Sequence, residues 1–208
     1  MVQLLMDMCK ATYQDPEVTK LLRDPKANHF DVVVIDAIFN EFTLALGHHI
    51  GAPNIIMSPS NRFSSLAWGM NIPHPLSYLP SGMDDKTDRM TFLQRCWNVV
   101  ANLGFHYLRH RHMFPGYDEI IREVLPNSPT TAELENKVSF LITNTNPAIS
   151  SVMPSMPYSV EIGGAHCKPA KPLPKVGQHE SVSKFRTMYH FFFFVTILGL
   201  GRLHGQFR

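Results

Sequence analysis

The chain has 208 residues, 44% hydrophobic and 17% charged, a composition that excludes a disordered or low-complexity chain and fits one ordinary domain or two small ones. Its net charge of +2 is unevenly held: residues 1–175 carry 15 Lys+Arg against 16 Asp+Glu, and residues 176–208 carry 4 against 1. The basic character belongs to the last segment, and the near-neutral body has no basic stripe that would suit nucleic acid.

Residues 1–24 predict helix, because Leu4, Leu5, Met8, Tyr13, Val18, Leu21 and Leu22 recur near helical spacing, with a fresh start at Asp15-Pro16-Glu17 and an end at Asp24-Pro25. Residues 32–35, Val-Val-Val-Ile, form a β-branched run of the kind found in strands buried on both faces, which usually belong to parallel sheets. A helical pattern over 40–50 is closed by Gly51, and residues 54–57 predict a second strand, so this stretch is a βαβ unit.

Residues 58–89 are rich in Ser, Pro, Asn, Gly and Asp and read as a long irregular segment, a type that often carries function. A helix of six turns follows over 90–113, broken by Pro115-Gly116 before a second helix reaching Leu125, and a short helix spans 131–137. Residues 138–142 and 158–162 predict two more strands, the last ended by Gly163-Gly164. The alternation indicates an α/β domain with a mostly parallel sheet and helices on both faces. Residues 176–208, with four consecutive Phe at 191–194, show no amphipathic period that would dock on such a layer.

Cys9, Cys96 and Cys167 are odd in number and far apart, which points to free thiols rather than a disulfide framework or metal knuckle. The N-terminus lacks the basic start and continuous apolar run of a signal peptide, and the most apolar stretch, residues 188–201, is short of the roughly 20 residues that span a bilayer. Nucleotide-cradling glycine motifs and a nucleophile elbow are absent from the sequence.

Asp36 follows directly on the first strand, where ligands gather in open α/β sheets. It can orient and charge-stabilise a histidine acting as base, or cap the loop that follows. His106 and His110 stand at i, i+4, but without an intervening glutamate and with Arg109 and Arg111 beside them they read as a solvated basic helix face, not a metal site. His48-His49 read as a helix terminus. Phe39, Phe63 and Trp68 are available either to an apolar cleft over residues 39–68 or to the core.

Three stretches together resemble the acceptor-binding half of the UDP-glycosyltransferases, the family of the animal UDP-glucuronosyl- and UDP-glucosyltransferases: FDVVVIDAIFNE at 30–41, PLSYLPSGMDDKTDRMTFLQRCWN at 75–98 and VEIGGAHCKPAKPLPK at 160–175. The resemblance covers about residues 1–175. It implies a partial Rossmann-like N-terminal domain of a two-domain GT-B enzyme that transfers a hexosyl group from a UDP-sugar, UDP-glucose or UDP-glucuronate, to the hydroxyl of a small lipophilic acceptor with inversion. UDP-sugar is then a co-substrate, and no metal or other cofactor is implied.

Asp36 matches the family aspartate that pairs with a catalytic histidine, and Phe39, Asn61 and Phe63 fall where the acceptor is expected. By the family pattern, that histidine, the donor domain and the membrane anchor are expected to fall outside these residues. The expectation is therefore a fragment, 1–175, inactive alone, followed by a non-family segment, 176–208, that is unstructured or mistranslated. A non-catalytic form that binds acceptors or pairs with full-length subunits is the alternative. The family resides on the endoplasmic reticulum membrane, and the resemblance leaves this chain's own location open.

Overall fold

The computed structural model describes residues 2–24, 30–81, 87–148, 150–165, 167 and 168. The chain divides after Ala165, and every helix and strand named below lies in the first unit, Met1–Ala165. The expected boundary after residue 175 and the Phe-rich segment lie outside the described residues.

Helices α1 (Val2–Gln14) and α2 (Pro16–Arg23) are separated where the sequence places the break. Asp15 caps α2, its side chain accepting from the Glu17 and Val18 N–H groups at 2.9 and 3.2 Å, a contact worth about 1 kcal/mol. Strand β1 (Val33–Asp36) leads through a 3-10 turn (Glu41–Thr43) into α3 (Leu44–Ile50), which Gly51 ends at φ 81° in the left-handed region that favours glycine. Strand β2 (Asn54–Ser58) follows, then α4 (Ser64–Gly69) inside the segment expected to be irregular. Its Ser-Ser-Leu-Ala-Trp-Gly sequence shows too little periodicity to announce a helix.

Helix α5 (Phe92–Leu108) opens with a capping box between Thr91 and Gln94. The expected break at Pro115-Gly116 does not occur. A π-helical turn, Arg109–Met113, joins α5 directly to α6 (Phe114–Val124), and the Phe114 N–H reaches back five residues to the Arg109 carbonyl. Pro115 lies in the first turn of α6, where a missing N–H does least harm, and the wide π turn ahead of it absorbs the change of register. Helix α7 (Thr131–Asn136) is tied to α6 by Asp118, whose Oδ1 accepts from both the N–H and hydroxyl of Thr131 at 2.7 Å. Strands β3 (Phe140–Thr143) and β4 (Ser159–Glu161) complete the sheet.

The sheet is wholly parallel in the order β1-β2-β3-β4, with Ile35 beside Ile56 and Ile56 beside Leu141. Those three side chains are buried in one core with Leu5, Tyr13, Phe42, Leu44, Leu66, Tyr117 and Leu134, so helices α1, α3, α4, α6 and α7 contribute to the covering of one face. The opposite face carries Val34, Met57 and Val160, all exposed, Val34 to 57%. The expectation that the 32–35 run is buried on both faces thus holds for Ile35 and not for Val34.

Helix α5 is turned against its own apolar pattern. Its buried residues are Asn98 and Asn102: Asn98 donates to the Leu76 and Leu79 carbonyls at 2.9 and 2.8 Å and accepts from the Ser81 N–H, and Asn102 bonds Asn98 and Ser64. Leu93, Trp97, Val100, Leu103 and Tyr107 face outward instead. A polar ladder docks this helix, because buried amides must find partners and the 71–81 loop offers carbonyls and N–H groups that need them. Among the described residues no helix is long and apolar enough to cross a membrane.

Candidate acceptor site

Because every strand pair is parallel, the four carboxyl ends share one edge of the sheet. Asp36 closes β1 there, exposed, its Oδ1 accepting from the Ile38 N–H at 2.8 Å. That bond caps the turn out of the strand and leaves Oδ2 without a hydrogen bond among the described residues. No histidine hydrogen-bonds Asp36 among them.

The chain then enters Phe39 at φ 57°. An aromatic residue in the left-handed region costs about 1–2 kcal/mol, a strain that gathers at functional sites. Phe39 and Phe63, two of the three residues expected near an acceptor, come together with Ala37, Ile38, Glu41 and Phe105 around a small cleft of about 20 Å³. Phe39 meets Phe105 edge to face, ring centroids 6.3 Å apart. The third residue, Asn61, is not in the lining: its side-chain oxygen accepts from the Arg62 N–H at 2.8 Å and its carbonyl from Ser58, which shapes the loop after β2. Trp68 lies edge-on to His106.

Glu41 is the polar member of this lining, and sequence reasoning passed over it. It is buried to 8% exposure, and its Oε1 accepts from Arg109 Nη2 at 2.7 Å while Oε2 has no hydrogen-bond partner. Arg109, 1% exposed, also forks onto Glu135, 0% exposed, at 3.1 and 2.5 Å, and its guanidinium lies 4.5 Å from the centre of the Phe114 ring. Burial alone would weaken the hold of Arg109 on its proton, but Glu41 and Glu135 reverse this and keep it charged. Burial pushes the Glu135 carboxyl up to about 7, against the opposing pull of Arg109. Gly69 passes so close that a Cβ there would overlap the Glu135 carboxylate. The π turn begins at Arg109, so the same irregularity that carries Pro115 also presents this guanidinium.

The solvated basic face expected around His106 and His110 is therefore only partly there. Arg111, His110 and His112 are exposed, but Arg109 is buried and paired. The His106 and His110 rings lie with centroids 4.3 Å apart at a tilt of 50°, and burial lowers both of their pKa values, with Arg109 and, for His110, His106 adding to it. No group of three or more His, Cys, Asp or Glu that could hold a metal ion occurs among the described residues. His48 and His49 occupy the last turn of α3, and a ring nitrogen of His49 lies 2.9 Å from the Leu22 carbonyl. They border a wider groove of about 570 Å³ with Arg23 and Pro126. That groove sits where α3 runs into the amino end of β2, so it ranks behind the smaller cleft despite its size.

A further buried group had no signal in sequence. His74 lies in the 71–81 loop with neither ring nitrogen partnered, and burial, helped by the charge of Arg62, lowers its pKa to about 4. Arg62 itself is buried, donating to the Pro154 carbonyl at 2.9 Å.

The chain matches the sequence profile described as UDP-glucoronosyl and UDP-glucosyl transferase over residues 1–183. It is similar to human UDP-glucuronosyltransferase 1A10, at 28% identity over 83% of this chain and 32% of the relative. It is 31% identical to rat UDP-glucuronosyltransferase 1A8 over the same shares, and 31% identical to mouse UDP-glucuronosyltransferase 2A3 over 81% of this chain and 31% of that protein. The chain thus spans about a third of the length of these relatives. No solved structure matches it significantly. With a parallel α/β sheet, a strand-end aspartate and a profile match that runs from residue 1 to residue 183, the chain belongs to the UDP-glucoronosyl and UDP-glucosyl transferase family.

Proposed function

We propose that this chain supplies the acceptor side of an inverting hexosyl transfer from a UDP-sugar, UDP-glucose or UDP-glucuronate, to the hydroxyl of a small lipophilic molecule. The observation that carries the reading is the juxtaposition at one strand end: a carboxylate with a free oxygen, Asp36, five residues ahead of Glu41 and followed at once by the lining of an apolar cleft. The acceptor's ring lies against Phe39 and Phe63. Asp36 holds a histidine contributed by sequence outside these residues in the tautomer that takes the hydroxyl proton, and stabilises the imidazolium as the oxygen attacks the sugar's C1. Catalysis by this chain alone is not expected, because no histidine among the described residues stands at Asp36 to work with it.

The test uses a complete member of the family. Replacing the aspartate that aligns with Asp36 by asparagine lowers kcat by about 10²–10⁴-fold with the fold intact, since an amide cannot stabilise an imidazolium. An unchanged kcat removes Asp36 from the mechanism. A second reading, that the chain pairs with longer subunits without catalysing, draws on the outward apolar face of α5 at Leu93, Trp97, Val100 and Leu103. Co-purification with a complete family member, weakened by Trp97→Glu, supports it, and independence of that substitution counts against it.

A further inference from the structure

A surface helix of a globular domain turns its apolar stripe to the core, and α5 does the reverse. Its inner side is held by Asn98 and Asn102, while Leu93, Trp97, Val100, Leu103 and Tyr107 point outward, Leu93 exposed to 77% and Trp97 to 59%. Their spacing of four, three, three and four residues keeps them on one ridge along the helix. Gly104 lies among them, and a Cβ there would meet nothing within 4 Å. Over the 17 residues of α5 the ridge runs for about 25 Å, a continuous apolar surface of the kind that marks an interaction site.

Charge decides which partner fits. Residues 42–83 and 89–117, which include α4, α5 and the loop that docks α5, contain no Asp or Glu. Arg89, Arg95 and Arg111 are exposed over the same stretch, as is His110. The acids that border α5 in sequence are Asp84, Asp85 and Asp88 on one side and Asp118, buried on Thr131, on the other. A second copy of the chain would set these cations against their own kind across a two-fold axis, which disfavours self-pairing. A protein partner would need a groove cut to a projecting ridge, whereas lipid closes around one. Trp and Tyr on an apolar ridge, flanked by arginines and free of acids, make up a helix suited to lie in the interface of an anionic bilayer.

We infer that the outward face of α5 is a docking surface for an anionic phospholipid bilayer. The helix lies flat on it, with Trp97 and Val100 at the acyl boundary and Arg89 and Arg111, at its two ends, among the headgroup phosphates. The Asn98 and Asn102 ladder keeps the helix joined to its domain while the apolar side is spent on lipid. The inference stands apart from the acceptor-site reading, and it assigns to lipid the face that the pairing reading also uses.

The 208-residue chain is sedimented with phosphatidylcholine vesicles that contain about 30% phosphatidylserine, and with vesicles of phosphatidylcholine alone. Partition onto the anionic vesicles is expected to be at least about tenfold stronger, and to fall by at least about tenfold when Trp97→Glu and Val100→Glu are combined. Both positions are exposed, so the fold is kept, which circular dichroism checks. A second measurement needs no variant of the face to fold: lipids brominated along the acyl chain quench the tryptophan fluorescence of the wild-type chain. Trp97→Phe, which leaves Trp68 as the remaining indole, removes that quenching. Both tryptophans precede residue 176, so the signal is independent of the basic, Phe-rich segment.

Equal partition onto both vesicles, no partition at all, partition unchanged by the double substitution, or no quenching by brominated lipid overturns the inference. Trp97-dependent co-purification with a complete family member, without vesicle binding, assigns the face to protein and overturns it too. None of these outcomes bears on Asp36.

Discussion

The loop that docks α5 contains a histidine whose burial makes a quantitative prediction. His74 is buried with both ring nitrogens unpartnered beside Arg62, itself offset by Glu161, and its pKa lies at about 4 against 6.5 for a free side chain. The folded value is below the unfolded one, so as pH falls the unfolded chain takes the proton first. The stability is fully present above about pH 6.5 and is lost as pH falls from there toward 4. Linkage between those two values gives a loss of about 2 kcal/mol at pH 5 relative to pH 8, or about 4–8 °C in Tm for a chain of this length. Other groups titrate over the same range; Glu135, with its carboxyl pushed up, works in the opposite direction. They are common to wild type and His74→Leu and cancel in the comparison. Urea unfolding of both proteins at pH 8 and pH 5, followed by circular dichroism, is therefore expected to show the variant losing about 2 kcal/mol less than wild type between the two. Parallel losses, within about 0.5 kcal/mol, refute the holding of an uncharged imidazole here.

Arg109→Leu leaves the Glu41 and Glu135 carboxylates buried without their cation, and is expected to cost about 3–5 kcal/mol, enough to remove the cooperative transition of a marginal domain; thermal melts check it, and a loss under about 1 kcal/mol contradicts the burial of that triad. Gly69→Ala forces a methyl into the Glu135 carboxylate and is expected to destabilise by about 1–3 kcal/mol, measured in the same way, whereas a neutral result would mean that α4 and α7 do not approach this closely.

The regular part of the fold was legible because it obeys periods. The β-branched run at 32–35, the 54–57 strand, the Asp15-Pro16 restart and the Gly51 stop each appear where those signals place them. What stayed hidden depends on partners that no period reports. The 90–113 pattern predicts a helix but not its orientation, and Asn98 and Asn102 take the inner side of α5 because the 71–81 loop has backbone groups to satisfy. Pro115 predicts a break, and the π turn before it removes the need for one.

The site divides along the same line. The sequence places Asp36 at the end of the first strand, and the structure puts Phe39 and Phe63 in one lining just beyond it. Asn61 was expected from the family resemblance, and its side chain turns instead to the backbone of its own loop. Glu41 could have been found as the one acid between Asp36 and Asp84. Arg109 could not, since charge next to two histidines says nothing of two carboxylates 68 and 26 residues away.

The proposed function depends on the carboxyl end of β1 receiving the acceptor beside Asp36. A crystal structure of the chain soaked with 4-ethylphenol tests this most directly. The ring is expected beside Phe39 and Phe63, with its hydroxyl toward Asp36. A phenol bound in the groove beside His48 and His49, with the cleft empty, would contradict it.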